Sequence, residues 1–164
     1  MEPTVTIRQF DESDLDALNG LIMTNDWPFH NNKITEPKTI EYFTDSTKTL
    51  LAVRQNETLG YVRIEEFIDG DSPLFDIRIK ATERGNGLGI ALIKAAETAV
   101  FTELPHTVRF EGTTRIDNLP MLSLFEKMAW CRESHYRKGW KLAEGEYIDA
   151  IGFSILRDEW ERSR

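Results

Sequence analysis

Cysteine is almost missing from this chain of 164 residues: Cys131 stands alone. With one thiol no intramolecular disulfide can form, and a reducing interior is permitted. Long apolar runs are missing as well. No stretch approaches the roughly 18 consecutive apolar residues of a membrane-spanning helix. Residues 1–6 lack the apolar region of a secretory leader. Basic residues are outnumbered, 20 against 28 acidic, for a formal net charge of −8. Such a field repels phosphate, which argues against nucleic acid and anionic membrane as partners. It suits a cationic partner such as an amine, although solubility alone accounts for an acidic surface. His30, His106 and His135 have no metal-ligand spacing, so no metal site is expected. The protein is expected to be soluble and cytoplasmic.

What is present describes one globular domain over residues 1–164. The hydrophobic fraction is 40% and the aromatic fraction 10%, enough for one core and too much for a disordered chain. Val5 and Ile7 alternate with polar residues as a first strand. Leu15, Leu18, Leu21 and Ile22 give a helical stripe to about residue 24. Residues 25–32 form a polar loop carrying Trp27, Phe29 and His30. It reads either as a lid that contacts a substrate or as a surface loop whose aromatics plug the core. A short helix near residues 40–43 precedes strands at 50–53 and 59–68, joined by a turn. On the second strand Val62, Ile64, Glu66 and Ile68 share one face by the period of two. A turn at 69–73 leads to a strand at 74–80. A helix at 88–100, a strand at 107–113, a helix at 119–128 and strands at 136–141 and 147–156 complete the order, before a charged tail. This is an α/β pattern with a central, mixed, mostly antiparallel sheet.

Three glycines, Gly85, Gly87 and Gly89, stand between the strand at 74–80 and the helix that follows. Glycine permits positive φ and removes the Cβ atoms that would hold a ligand off the main chain. Free N–H groups at a helix N-terminus then face an anion. A P-loop needs Lys-Ser/Thr after the last glycine, and Ile90-Ala91 follows here. The dinucleotide fingerprint counted from Gly85 needs a third glycine where Ile90 stands. What remains is Arg84-x-x-Gly87-x-Gly89.

That spacing resembles the pyrophosphate-binding signature of the GNAT N-acetyltransferase superfamily, Gln/Arg-x-x-Gly-x-Gly/Ala. A second segment, from Asn118 through Glu126-Lys127 to Ala129-Trp130, is similar to the family's Asn-x-x-Ala/Ser-x-x-x-Tyr/Leu-Glu-Lys-x-Gly-Phe, with Ala-Trp in place of Gly-Phe. The order of elements also matches, and the ending at 147–156 resembles the closing strand of the ribosomal-protein-acetyltransferase-like branch. The resemblance implies a single-domain GNAT-like fold with splayed parallel strands and flanking helices. It implies acetyl transfer from acetyl-CoA to an amine of a small molecule or a protein N-terminus, in a ternary complex, and it admits a homodimer. Ile77 and Ile79 would pair with the pantetheine arm. Arg84, Gly85, Asn86, Gly87, Leu88, Gly89 and Ile90 would hold the pyrophosphate. Asn118 and Phe125 would complete the cofactor site, with Asn118 also free simply to cap its helix.

The amine arrives protonated, so a base is needed. Glu66 is the first choice, since burial among apolar neighbours would raise its pKa; Asp76 and Glu111 are alternatives. The family's acid is a tyrosine where Phe125 stands. Phenylalanine cannot donate a proton, which leaves Tyr136, Cys131 or water for that role, or a non-catalytic acyl-CoA-binding module. Trp27, Phe29, His30 and Asp76 are the expected substrate contacts.

Overall fold

β1 (Thr6–Gln9) opens the computed structural model, which describes residues 4–30, 34–142 and 145–164. Residues 1–3, part of the segment expected to lack a leader, lie outside that set. Asp11 and Asp14 end the strand. Asp11 accepts from the Ser13 N–H at 3.0 Å, and Asp14 accepts from the Asp11 N–H at 2.8 Å. Both satisfy donors that a helix start leaves open, and α1 (Leu15–Thr24) follows at once. Leu18, Leu21 and Ile22 pack with Phe43 of α2 (Ile40–Thr44) and with Tyr61 in one of two cores.

β2 (Lys48–Arg54) and β3 (Glu57–Glu65) form a hairpin. Its turn residues Gln55 and Asn56 have φ of 49° and 67°, the left-handed pair that suits the twist of a two-residue connection. β3 ends three residues sooner than its alternation predicts. Glu66 takes φ of 51°, and the Phe67 N–H donates to the Ser46 carbonyl at 2.9 Å instead of continuing the ladder. β4 (Leu74–Ile79) is the last strand of the first sheet, ordered β1-β2-β3-β4.

α3 (Leu88–Glu103), β5 (Arg109–Arg115), α4 (Leu119–Lys127), β6 (Cys131–Lys141), β7 (Tyr147–Leu156) and α5 (Arg157–Arg162) follow. The second sheet is ordered β5-β7-β6. All ladders among the described residues are antiparallel, so the expected mixed sheet is two antiparallel sheets that meet at β4 and β5. The Glu111 N–H donates to the Pro73 carbonyl at 3.1 Å, where these strands begin side by side. Phe75 lies against Gly112 there; a Cβ on that glycine would stand 2.5 Å from the ring. Among the described residues no ladder continues the pair, and the second edge of β4 stays open.

Half of β6 escapes a reading by periodicity. Its register shifts twice against β7, and Lys138 has φ of 52°. The charged tail is a helix: the Arg157 guanidinium donates to the carbonyls of Phe101, Leu104 and Thr107 at 2.8, 2.7 and 2.9 Å, and Trp160 is buried against Phe101. The main core lies between both sheets, α3 and α4. No helix among the described residues is long and apolar enough to cross a membrane.

Candidate active site

The gap between the two sheets opens into a cleft of about 500 Å³, walled by residues 27–30, β4, the glycine turn, the end of β5 and α4. β4 divides its side chains by the period of two. Phe75, Ile77 and Ile79 pack on the main core, while Asp76 and Arg78 take the other face, across from Arg63 and Tyr61 of β3.

The glycine turn carries the donors. Gly85 and Gly87 both have φ of 80°, with open space where a Cβ would be. The first hydrogen bond of α3 runs from the Ala91 N–H to the Gly87 carbonyl at 3.2 Å. Among the described residues, the N–H groups of residues 85–90 have no protein acceptor. Six consecutive open amides at the positive end of a helix dipole fit a diphosphate. Gly89 has a packing reason instead, since a Cβ there would stand 2.8 Å from Leu124. Gly85, Gly87, Gly89, Ile90, Ile77 and Ile79 line the cleft. Asn86 and Leu88 do not, and Leu88 is buried, so each offers only its main chain. Arg84 lines the cleft but is also held by the protein: it donates to the carbonyls of Ile79 and Asp26 at 2.9 and 2.5 Å and stacks on Trp27. Asn118 does two things. Its side chain accepts from the Met121 N–H at 3.3 Å, capping α4, and donates to Thr114 at 3.0 Å, while it lines the cleft.

The loop residues Trp27, Phe29 and His30 stand in the cleft wall together with Asp76; residues 31–32 of that loop lie outside the described set. Trp27 serves both readings of the loop, since its indole N–H also donates to the Ile22 carbonyl at 2.8 Å. The His30 Nε2 lies 2.8 Å from Asp76 Oδ1. Asp76 Oδ2 accepts from Arg78 Nε at 3.1 Å and from the Tyr61 hydroxyl at 3.4 Å. Burial pushes the Asp76 carboxyl up, but the His30 hydrogen bond and the Arg78 charge outweigh it and bring it to about 2. Asp76 is therefore a fixed anion that orients an imidazole, and a poor base itself. Burial also raises the Tyr61 phenol well above its ordinary value.

Four candidate site residues stand elsewhere. Glu66 leaves β3 in a left-handed turn, is exposed and does not line the cleft, so the burial that would tune it is absent. Tyr136 is 52% exposed on β6, away from the cleft. Phe125 is fully buried, stacked on Phe153 at 4.4 Å and beside Trp130 at 5.1 Å, because α4 turns that position into the core. Glu111 is bound to Arg109 at 2.6 Å outside the cleft. The His30–Asp76 pair is separated by 46 residues, and no motif spacing reveals it. Trp140 and Thr113 also line the cleft without having been singled out, and Lys127 of the second family segment stands with them.

A family model described as Acetyltransferase (GNAT) family matches residues 15–130. No curated protein matches the sequence. Among solved structures, a GNAT acetyltransferase from Streptococcus pneumoniae is similar with TM-score 0.77 and 21% identity, over 93% of this chain and 99% of that one. A chimera of spermidine N-acetyltransferase SpeG from Vibrio cholerae and hSSAT is similar with TM-score 0.81 and 19% identity, over 96% and 98%. Spermidine/spermine N-acetyltransferase SpeG from Vibrio cholerae, in complex with manganese ions, gives TM-score 0.74 and 20% identity, over 98% and 97%. At these identities the likeness speaks for the fold.

Proposed function

The chain belongs to the acetyltransferase (GNAT) family, and from that premise we propose that it acetylates a primary amine by direct attack in a ternary complex. The observation that carries this reading is the row of open amides at residues 85–90, set beside the unpaired edge of β4. Acetyl-CoA, the family's acyl donor, supplies a thioester whose carbonyl carbon is the electrophile. The main chain of residues 85–90 holds its diphosphate, with Arg84 and Lys127 nearby on the cleft wall. Ile77 and Ile79 offer backbone groups to the pantetheine arm, as a sheet edge does to an added strand.

His30 takes the proton. Histidine exchanges protons near neutral pH, and Asp76 holds one ring nitrogen at 2.8 Å while Nδ1 has no partner among the described residues. The arriving ammonium first loses one proton to His30, which passes it on to water. The neutral amine nitrogen then forms the amide bond as the carbon–sulfur bond breaks, and its second surplus proton passes to His30 in turn. The sulfur leaves as thiolate; a thiol pKa of ~8.5 makes an acid dispensable. This accounts for a catalytic site in which Phe125 and Tyr136 have no part. Asn118 positions α4 at the cleft and serves the cofactor side.

The whole of residues 1–164 is one N-acetyltransferase domain in this proposal, acting in the cytoplasm, and the family resemblance admits a homodimer. The likeness of 147–156 to the ribosomal-protein-acetyltransferase-like branch keeps a protein N-terminus among the acceptors. A second reading, an acyl-CoA-binding module without turnover, is favoured by one observation, Phe125 in place of the family's tyrosine. Thiol release from acetyl-CoA over a panel of amines separates the two. The expected result is turnover that His30→Gln lowers by roughly 100-fold, with CoA affinity unchanged. CoA binding with no turnover on any amine would establish the module instead.

A further inference from the structure

We propose that the acceptor is a monoamine with an apolar, ring-bearing body and an oxygen acceptor beside its amine, as in an aromatic amino acid or a peptide N-terminus, and not a polyamine. This deepens the acetyl-transfer reading and rests on it. The charge of the cleft is the first ground. Asp76 is the only carboxylate lining it among the described residues, and both its oxygens are taken, by His30, Arg78 and Tyr61. Arg78 lines the same wall beside Asp76, while Arg84 and Lys127 stand on the diphosphate side. Carboxylates just outside the cleft are paired with the protein's own arginines, Glu65 with Arg63, Glu111 with Arg109 and Asp117 with Arg115. A polyamine brings further ammonium groups besides the one that reacts. Each would be desolvated beside cations with no carboxylate left to pair it.

The aromatic walls do not rescue a polycation. Trp27 already carries the guanidinium groups of Arg78 and Arg84, each 5.3 Å from its ring centre, and Phe29 carries Arg115 at 5.5 Å. Their faces serve cations of the protein itself. Phe75 and Trp140 add apolar surface that suits a ring.

Two cleft residues also hold donors without an acceptor. Arg78 is 8% exposed and its Nη1 has no hydrogen-bond partner among the described residues; the Trp140 Nε1 has none either. Buried donors of this kind are seldom left unmade. A protonated polyamine is donor-only and satisfies neither. Both atoms are closed off in the free protein, and a carbonyl or carboxylate beside the reacting amine supplies the missing acceptor once these two side chains turn toward it.

The test is calorimetric titration of the CoA-loaded protein with phenylalanine, phenylalaninamide, phenethylamine and spermidine, with thiol release measured in parallel using acetyl-CoA. An oxygen-bearing aromatic amine is expected to bind roughly 100-fold more tightly than spermidine. Phenylalanine against phenylalaninamide tells a carboxylate from a carbonyl. Trp140→Phe keeps the ring and removes the N–H; it should cut the preference for phenylalaninamide over phenethylamine about 10-fold. Spermidine binding as tightly or more tightly overturns the proposal, as does binding of none of the four, or a Trp140→Phe protein with unchanged preference. Binding as expected without thiol release leaves the ligand class standing and removes the transfer reaction.

Discussion

At the scale of single residues, Asp76 within β4 and Glu66 just past the end of β3 show how environment sorts two carboxylates. Asp76 is largely buried and held low by His30 and Arg78, at about 2 against an ordinary 3.8. A carboxyl whose folded value is depressed adds stability above its unfolded value and loses it as pH falls through the folded one. Asp76 should therefore stabilise the fold by roughly 2 kcal/mol at neutral pH, and this should vanish between pH 4 and pH 2. Urea unfolding of wild type and Asp76→Asn across that range checks it: the gap should close on acidification, and a constant gap would contradict it. Glu66 was attractive in the sequence because alternation put it among Val62, Ile64 and Ile68. Its left-handed φ of 51° breaks that alternation, and no residue type at 66 announces the break. His30 was legible as a substrate contact on a loop, but not as a base; its pairing with Asp76 arrives through tertiary packing.

At the scale of elements, the helices and the glycine turn were the legible parts. Local propensity, caps and periodicity place α1, α3 and α4 within a few residues, and the open amides follow from glycines at 85 and 87. The bulges of β6 and the charged α5 were not legible, since each is decided by partners distant in sequence. Phe125 belongs here too. Its position in a family motif suggested a cofactor contact, but the packing of α4 decides its direction. Its Cζ would lie 3.0 Å from a Cβ on Gly112, so a hydroxyl there would meet the β5 backbone. Phe125→Tyr should destabilise by about 1–3 kcal/mol, the cost of a buried polar group without a ready partner, and should not raise turnover. Thermal unfolding with steady-state kinetics reads both. A more active, equally stable variant would show that position 125 does reach the cleft.

At the scale of the molecule, two antiparallel sheets part at β4 and β5, and the parting makes the cleft. Phe75 against Gly112 closes one end, and the glycine turn and α4 frame the other. A net charge of −8 suggested a site for cations, yet the cleft walls carry more basic than acidic side chains. Overall charge describes the surface, and only coordinates assign charge to a site. The main-chain amides at residues 85–90 are the feature on which acetyl-CoA binding depends most. Calorimetric titration of the protein with CoA, beside Gly87→Glu, tests them directly. Saturable one-to-one binding that the variant weakens roughly 100-fold, through bulk and like charge, is the predicted result. Absence of binding to the wild-type protein, or equal affinity in both, would contradict the account.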